Sequence, residues 1–97
     1  MRFEIVLAPE AVEDLKGLKA NARTEVRTAI ETHLRHEPRK TNGSRIKRLR
    51  GVSRPQFRLR VADVRVFYDA SGGVVEVLAI VAKSEAESWL ARSASPV

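Results

Sequence analysis

The chain has 97 residues, enough for one modest core, and contains no cysteine. Disulfide frameworks, thiolate nucleophiles and cysteine-held zinc are therefore excluded, and the longest apolar run, Val77 to Ala82, is far too short to cross a bilayer. The formal charge of +6 has one source: nine of the eighteen Lys and Arg residues lie between Glu37 and Asp63, a stretch without a single acid. A fold that gathers like charges against their own repulsion does so for an anionic partner, most commonly nucleic acid.

Taken in chain order, the pattern predicts a single domain over residues 1–97. Phe3, Ile5 and Leu7 alternate with Arg2, Glu4 and Val6 as in a short half-buried strand. The alternation begins directly after Met1, which leaves no room for a signal peptide, so a cytoplasmic protein is expected. Ala8-Pro9-Glu10 reads as a helix start, and Val12, Leu15 and Leu18 give that helix one apolar stripe. Asn21 can cap a second helix, whose stripe Ala22, Val26, Ala29, Ile30 and Leu34 runs to the stop at His36-Glu37-Pro38. Two helices with narrow stripes and a short join predict an antiparallel hairpin lying on an apolar surface.

Residues 38–55 are polar, turn-rich and basic, and read as a long loop. Three apolar-rich strands follow around Gln56–Val61, Val64–Asp69 and Val74–Val81, with joins short enough for hairpins. Ser84 is expected to cap a last short helix anchored by Trp89 and Leu90. The fold class is α+β: an antiparallel four-stranded sheet, with the first strand joined to the later three and the helical hairpin on one face.

Register is the informative step. If Ala62-Asp63 is a two-residue turn, Val61 opposes Val64, Arg60 opposes Arg65 and Arg58 opposes Phe67. Phe57, Leu59, Val61, Val64, Val66 and Tyr68 then share the face that covers the helices, while Arg58, Arg60, Arg65 and Phe67 share the other. Two readings of that second face stand side by side. It is either a solvated outer surface relieved by Glu76 on the next strand, or a phosphate-binding face. The purely basic loop before it, with Arg45, Lys47, Arg48, Arg50 and Arg54, favours the second. So does Phe67, an aromatic surface for a base beside guanidinium forks that match phosphate geometry.

Other constellations carry less. His33 and His36 lie three apart with no third ligand in view, which describes surface imidazoles better than a metal pair. Ser84, Ser88 and Ser93 lack the context of a nucleophile elbow, and Gly72-Gly73 is a hairpin turn. Trp89 reads as a core anchor, and Glu10, Glu13 and Asp14 as a wet helix face.

Three segments bear a family resemblance. Lys47-Arg48-Leu49-Arg50-Gly51 is similar to the basic approach to the sheet in the RelE/ParE superfamily of bacterial toxins. Phe57-Arg58-Leu59-Arg60-Val61-Ala62-Asp63-Val64-Arg65-Val66-Phe67-Tyr68-Asp69 resembles that family's most recognisable hairpin. Ile80 to Leu90 resembles a common ending among these toxins, and the element order agrees over the whole chain. The resemblance implies the toxin of a type II toxin–antitoxin pair, held inactive by a cognate antitoxin protein. RelE-like members enter the ribosomal A site and cut mRNA without metal or other cofactor, the ribose 2′-OH attacking the adjacent phosphate; ParE-like members inhibit DNA gyrase. A plain RNA-binding module without toxicity is the third reading.

Carried over by position, Arg65 matches the hairpin arginine that contacts the scissile phosphate in the nucleases, and Arg58 and Arg60 match basic strand residues of that site. The nucleases usually add a C-terminal arginine and a tyrosine or histidine, where this chain has Ser84 and Leu90. Arginine stabilises a phosphorane well but shuttles protons poorly, because it stays charged. Lys83, Lys47, His33 and His36 remain as groups able to carry a proton.

Overall fold

A computed structural model describes residues Met1–Val97. The chain runs β1 (Glu4–Leu7), α1 (Pro9–Lys16), α2 (Ala20–Leu34), β2 (Ile46–Arg48), β3 (Val52–Arg54), β4 (Phe57–Val61), β5 (Val64–Ser71) and β6 (Val74–Ala82). A 3-10 turn over Lys83–Glu85 then leads into α3 (Ala86–Ser93) and a two-residue β7 (Ser95–Pro96). Pro9 opens α1 where its missing N–H costs nothing, and Gly17 ends it. The α2 stripe Val26, Ile30 and Leu34, spaced by four, is buried against the sheet.

The sheet is five-stranded in the order β1-β6-β5-β4-β2. The β4–β5 hairpin has the register expected from its alternation, with Val61 opposite Val64, Arg60 opposite Arg65 and Arg58 opposite Phe67. Its turn places Ala62 at φ +51°, a left-handed conformation disfavoured in non-glycine residues. One face of the hairpin, with Phe57, Leu59, Val61, Val66 and Tyr68, joins Leu15, Val26, Ile30 and Leu34 in the main core. Tyr68 stacks on Phe57 with ring centroids 5.4 Å apart, and its hydroxyl donates to Pro38 O at 2.6 Å.

Three expectations are corrected. The sheet is mixed rather than wholly antiparallel, because β1 runs parallel to β6. Tight turns dictate antiparallel pairing within β4–β5–β6, whereas the direction of β1 depends on how the helical hairpin carries the chain across the sheet. The basic loop is not structureless: β2 adds a fifth strand antiparallel to β4, and β3 pairs with β7. Ser84 makes no side-chain cap and sits in the 3-10 turn instead.

The acidic face of α1 is also not simply wet. Strand β1 ends its pairing at Val77, leaving the later part of β6 as an open edge, and there Asp14 Oδ2 accepts the N–H of Ile80 at 2.9 Å. Glu10 Oε2 accepts the indole N–H of Trp89 at 2.7 Å. Two carboxylates of α1 thus satisfy donors that burial would otherwise orphan. No helix is long and apolar enough to cross a membrane.

Candidate nucleic-acid interface

Strand register collects the cations. Lys47 on β2 lies opposite Arg58 on β4, and Arg58 lies opposite Phe67 on β5. One step along, the Arg60 N–H donates to Arg45 O at 2.8 Å and Arg60 lies opposite Arg65, extending the row across three strands. Ile46 and Leu59 point into the main core, so the alternate residues Arg45, Lys47, Arg58 and Arg60 point the other way. The result is a patch of five cations, two rows deep, whose end at Arg45, Arg60 and Arg65 meets the edge of α2.

None of these five has an anionic partner. The molecule's ion pairs join Lys16 to Glu13, Arg35 to Glu31, Lys40 to Glu37, and Arg54 to both Asp69 and Glu76. Arg65 is only 8 % exposed, yet its Nη1 donates to two backbone carbonyls of its own hairpin, Ala62 O at 2.9 Å and Val64 O at 3.1 Å, and to no carboxylate. Arg58 is half-buried; its Nη2 donates to Ser44 O at 3.2 Å, and its buried Nε has no partner. Burial first, then the neighbouring Arg65 and Arg60, lowers the Arg58 pKa from its ordinary value. Buried charges are normally paired, so Arg65 and the half-buried Arg58 leave an anion-binding capacity that no carboxylate of the chain satisfies, while Arg45, Lys47 and Arg60 are exposed beside them.

A groove of about 650 Å³ opens beside the hairpin end. The hairpin contributes Arg60, Asp63 and Arg65 to its wall, α2 contributes Glu25, Thr28, Thr32 and His33, and Arg45 and Lys83 also line it. Lys83 is held there because its N–H donates to Asp63 O at 2.7 Å, tying the end of β6 to the hairpin turn. His33 is half-buried, and burial followed by the charge of Arg45 lowers its imidazole pKa below the usual 6.5. His33 also borders a smaller pocket with His36, and the chain has no group of three or more His, Asp and Glu side chains placed to hold a metal. The sequence marks His33 as a possible proton carrier three residues from His36, on a helix but off its apolar stripe, and marks Thr28 and Thr32 only by their spacing of four. The stripe alone does not say which sheet edge they meet.

Other residues marked by the sequence stand elsewhere. Phe67 is not an exposed platform for a base: it is 1 % exposed and stacks on Trp89, centroids 4.9 Å apart at 7°, in a second small core with Ala79. The reason is α3, which folds over this part of the face and uses Trp89 as its anchor. Arg54 is not a free cation, since its guanidinium bridges Asp69 and Glu76, each at 3.1 Å. Glu76 is therefore engaged with Arg54 and does not relieve the arginine cluster. Arg48 lies over the Phe57 ring, 5.1 Å from its centroid, at the rim of the main core, while Arg50 is exposed. Ser84 is exposed, and Leu90 packs against the Phe67–Trp89 cluster.

No family model matches the sequence, and no characterised protein matches it by sequence. Solved structures do match by shape. A RelE–RelB complex from the archaeon Pyrococcus horikoshii aligns with TM-score 0.70 at 20% identity, covering 86% of this chain and 97% of that one. A toxin–antitoxin complex from Mycobacterium tuberculosis aligns at 0.66 and 19%, covering 84% and 99%. The RelB–RelE antitoxin–toxin complex of Methanococcus jannaschii aligns at 0.65 and 18%, covering 87% and 96%. The fold of this chain is that of the RelE-type toxins.

Proposed function

We propose that this chain with a RelE-type fold is the toxin of a type II toxin–antitoxin pair. In this reading it cuts mRNA in the ribosomal A site by attack of a ribose 2′-OH on the adjacent phosphate. The observation that carries the reading is Arg65, nine-tenths buried, with no counter-ion and with Arg58 and Arg60 as neighbours. A phosphodiester supplies the missing anion, and guanidinium forks fit its oxygens. As the phosphorane forms, its added charge develops beside a fixed cluster of guanidinium groups, and preorganised charge of that kind lowers a barrier. Arg45 and Lys47 extend the same face along the strand of RNA. A cognate antitoxin is expected as the second partner, because the structures of like fold include toxin–antitoxin complexes.

A second reading, inhibition of DNA gyrase, is favoured by one feature. The positions where RelE-like nucleases usually carry arginine and tyrosine or histidine hold Ser84 and Leu90, and Leu90 is engaged in packing. Controlled expression separates the two. The nuclease reading predicts growth arrest with new mRNA 5′ ends inside reading frames, lost in Arg65→Gln. Arrest with intact messages and inhibited supercoiling by purified gyrase would establish the rival.

A further inference from the structure

The cation face lacks a proton carrier, and the groove beside it contains one on an element outside the sheet. Arginine cannot take the proton of a 2′-OH, because it stays protonated at any physiological pH. Of the groove's other titratable groups, Lys83 is a cation and Glu25 and Asp63 are carboxylates, a class weaker in basicity than imidazole. That leaves His33, near the C-terminal end of α2, facing the same space as Arg60, Arg65 and Lys83.

We infer that His33 is the general base of RNA cleavage and Lys83 the general acid; this rests on the nuclease reading above. The His33 imidazole takes the proton of the 2′-OH as the O2′–P bond forms. The P–O5′ bond breaks with its electron pair on O5′, which takes a proton from the Lys83 ammonium. The products are a 2′,3′-cyclic phosphate and a 5′-hydroxyl, and water returns one proton to Lys83 and removes one from His33. The depressed pKa of His33 keeps the imidazole neutral at pH 7, the form a base requires. Arg45 contributes to that depression, so a cation of the RNA-binding row also prepares the base. The titratable groups on its other side are His36, Glu37 and Lys40, which border the adjoining pocket.

The test is single-turnover cleavage of mRNA on programmed ribosomes between about pH 5 and pH 8, the range in which imidazole titrates. Wild-type protein is expected to show a rate that rises with pH and levels off below about 6.5. His33→Gln should cut at least about 100-fold more slowly, with ribosome binding kept and the rising limb gone. Added imidazole should restore part of the rate to His33→Gly, which a purely structural histidine would not allow. His33→Asn guards against a folding defect peculiar to one variant, and circular dichroism checks both. Wild-type-like cleavage by His33→Gln, a flat wild-type profile, or loss caused instead by Asp63→Asn would overturn the inference and leave the nuclease reading standing. No cleavage by wild-type protein would overturn both.

Discussion

Arg60→Gln separates a built site from an ordinary wet surface, because a site held against repulsion should gain stability when it loses a charge. Arg60 faces Arg65 on one side and Arg45 on the other, with Arg58 two residues along its strand. Like charges directly opposite on a sheet destabilise by up to about 1 kcal/mol per pair, and the exposure of Arg60 reduces this through solvent screening. The net gain expected at low salt is about 0.5–1 kcal/mol. For a domain of this size that raises the melting temperature by roughly 2–8 °C. Scanning calorimetry at about 10 mM and about 1 M salt should show the gain shrinking as the Debye length falls from about 30 Å to about 3 Å. The same variant should bind a single-stranded RNA oligonucleotide less tightly, with a salt slope smaller by about 0.7 for one lost phosphate contact. A destabilised Arg60→Gln at low salt, or an unchanged salt slope, would refute the argument that this face is strained for phosphate.

Three further outcomes follow from the packing. Trp89→Ala removes the stack on Phe67 and leaves Glu10 without its donor, so urea melts should show a loss of about 3–5 kcal/mol. Asp14→Ala orphans the Ile80 N–H at the open edge of β6 and should lose about 1–3 kcal/mol, whereas Asp14→Asn keeps an acceptor and should be near neutral. Burial raises the Asp14 pKa above 3.8 despite the Ile80 hydrogen bond, so its contribution is fully present below that value and is lost as pH rises through the folded pKa. A pH series of melts should therefore lose that component in Asp14→Asn. Burial also pushes the Tyr68 phenol well above its ordinary 10, so stability falls as pH climbs past 10; Tyr68→Phe should blunt that fall. At neutral pH the same substitution strands Pro38 O and should lose about 1–3 kcal/mol in chemical unfolding.

Much of the fold is legible in the sequence wherever structure is local. The period-two alternation of Phe57 to Val61 and Val64 to Tyr68 carries the hairpin register, because a one-residue slip would turn every apolar residue outward. The helices are legible for the matching reason, their stripes having one face to bury. What escapes is set at long range. The parallel pairing of β1 with β6 leaves no mark on the residues of β1. Phe67 alternates with the arginines on the outer face, but whether that face is open at Phe67 depends on where α3 lands. Arg54 looks like any other cation of the basic stretch until folding brings Asp69 and Glu76 to it. Arg58, Arg60 and Arg65 share a face by pleat alone. His33 reaches the groove beside Arg60 and Arg65 through the packing of α2, which a single helix pattern does not encode.

The role proposed for the cation face is cleavage of mRNA by its own ribose hydroxyl. It is tested most directly with programmed ribosomes carrying either an ordinary message or one with a single 2′-deoxy sugar at the A-site codon. The ordinary message is expected to be cut at that codon, leaving a 2′,3′-cyclic phosphate, while the 2′-deoxy message stays whole. An ordinary message that survives saturating protein, or a 2′-deoxy message cut at the same bond, would contradict it.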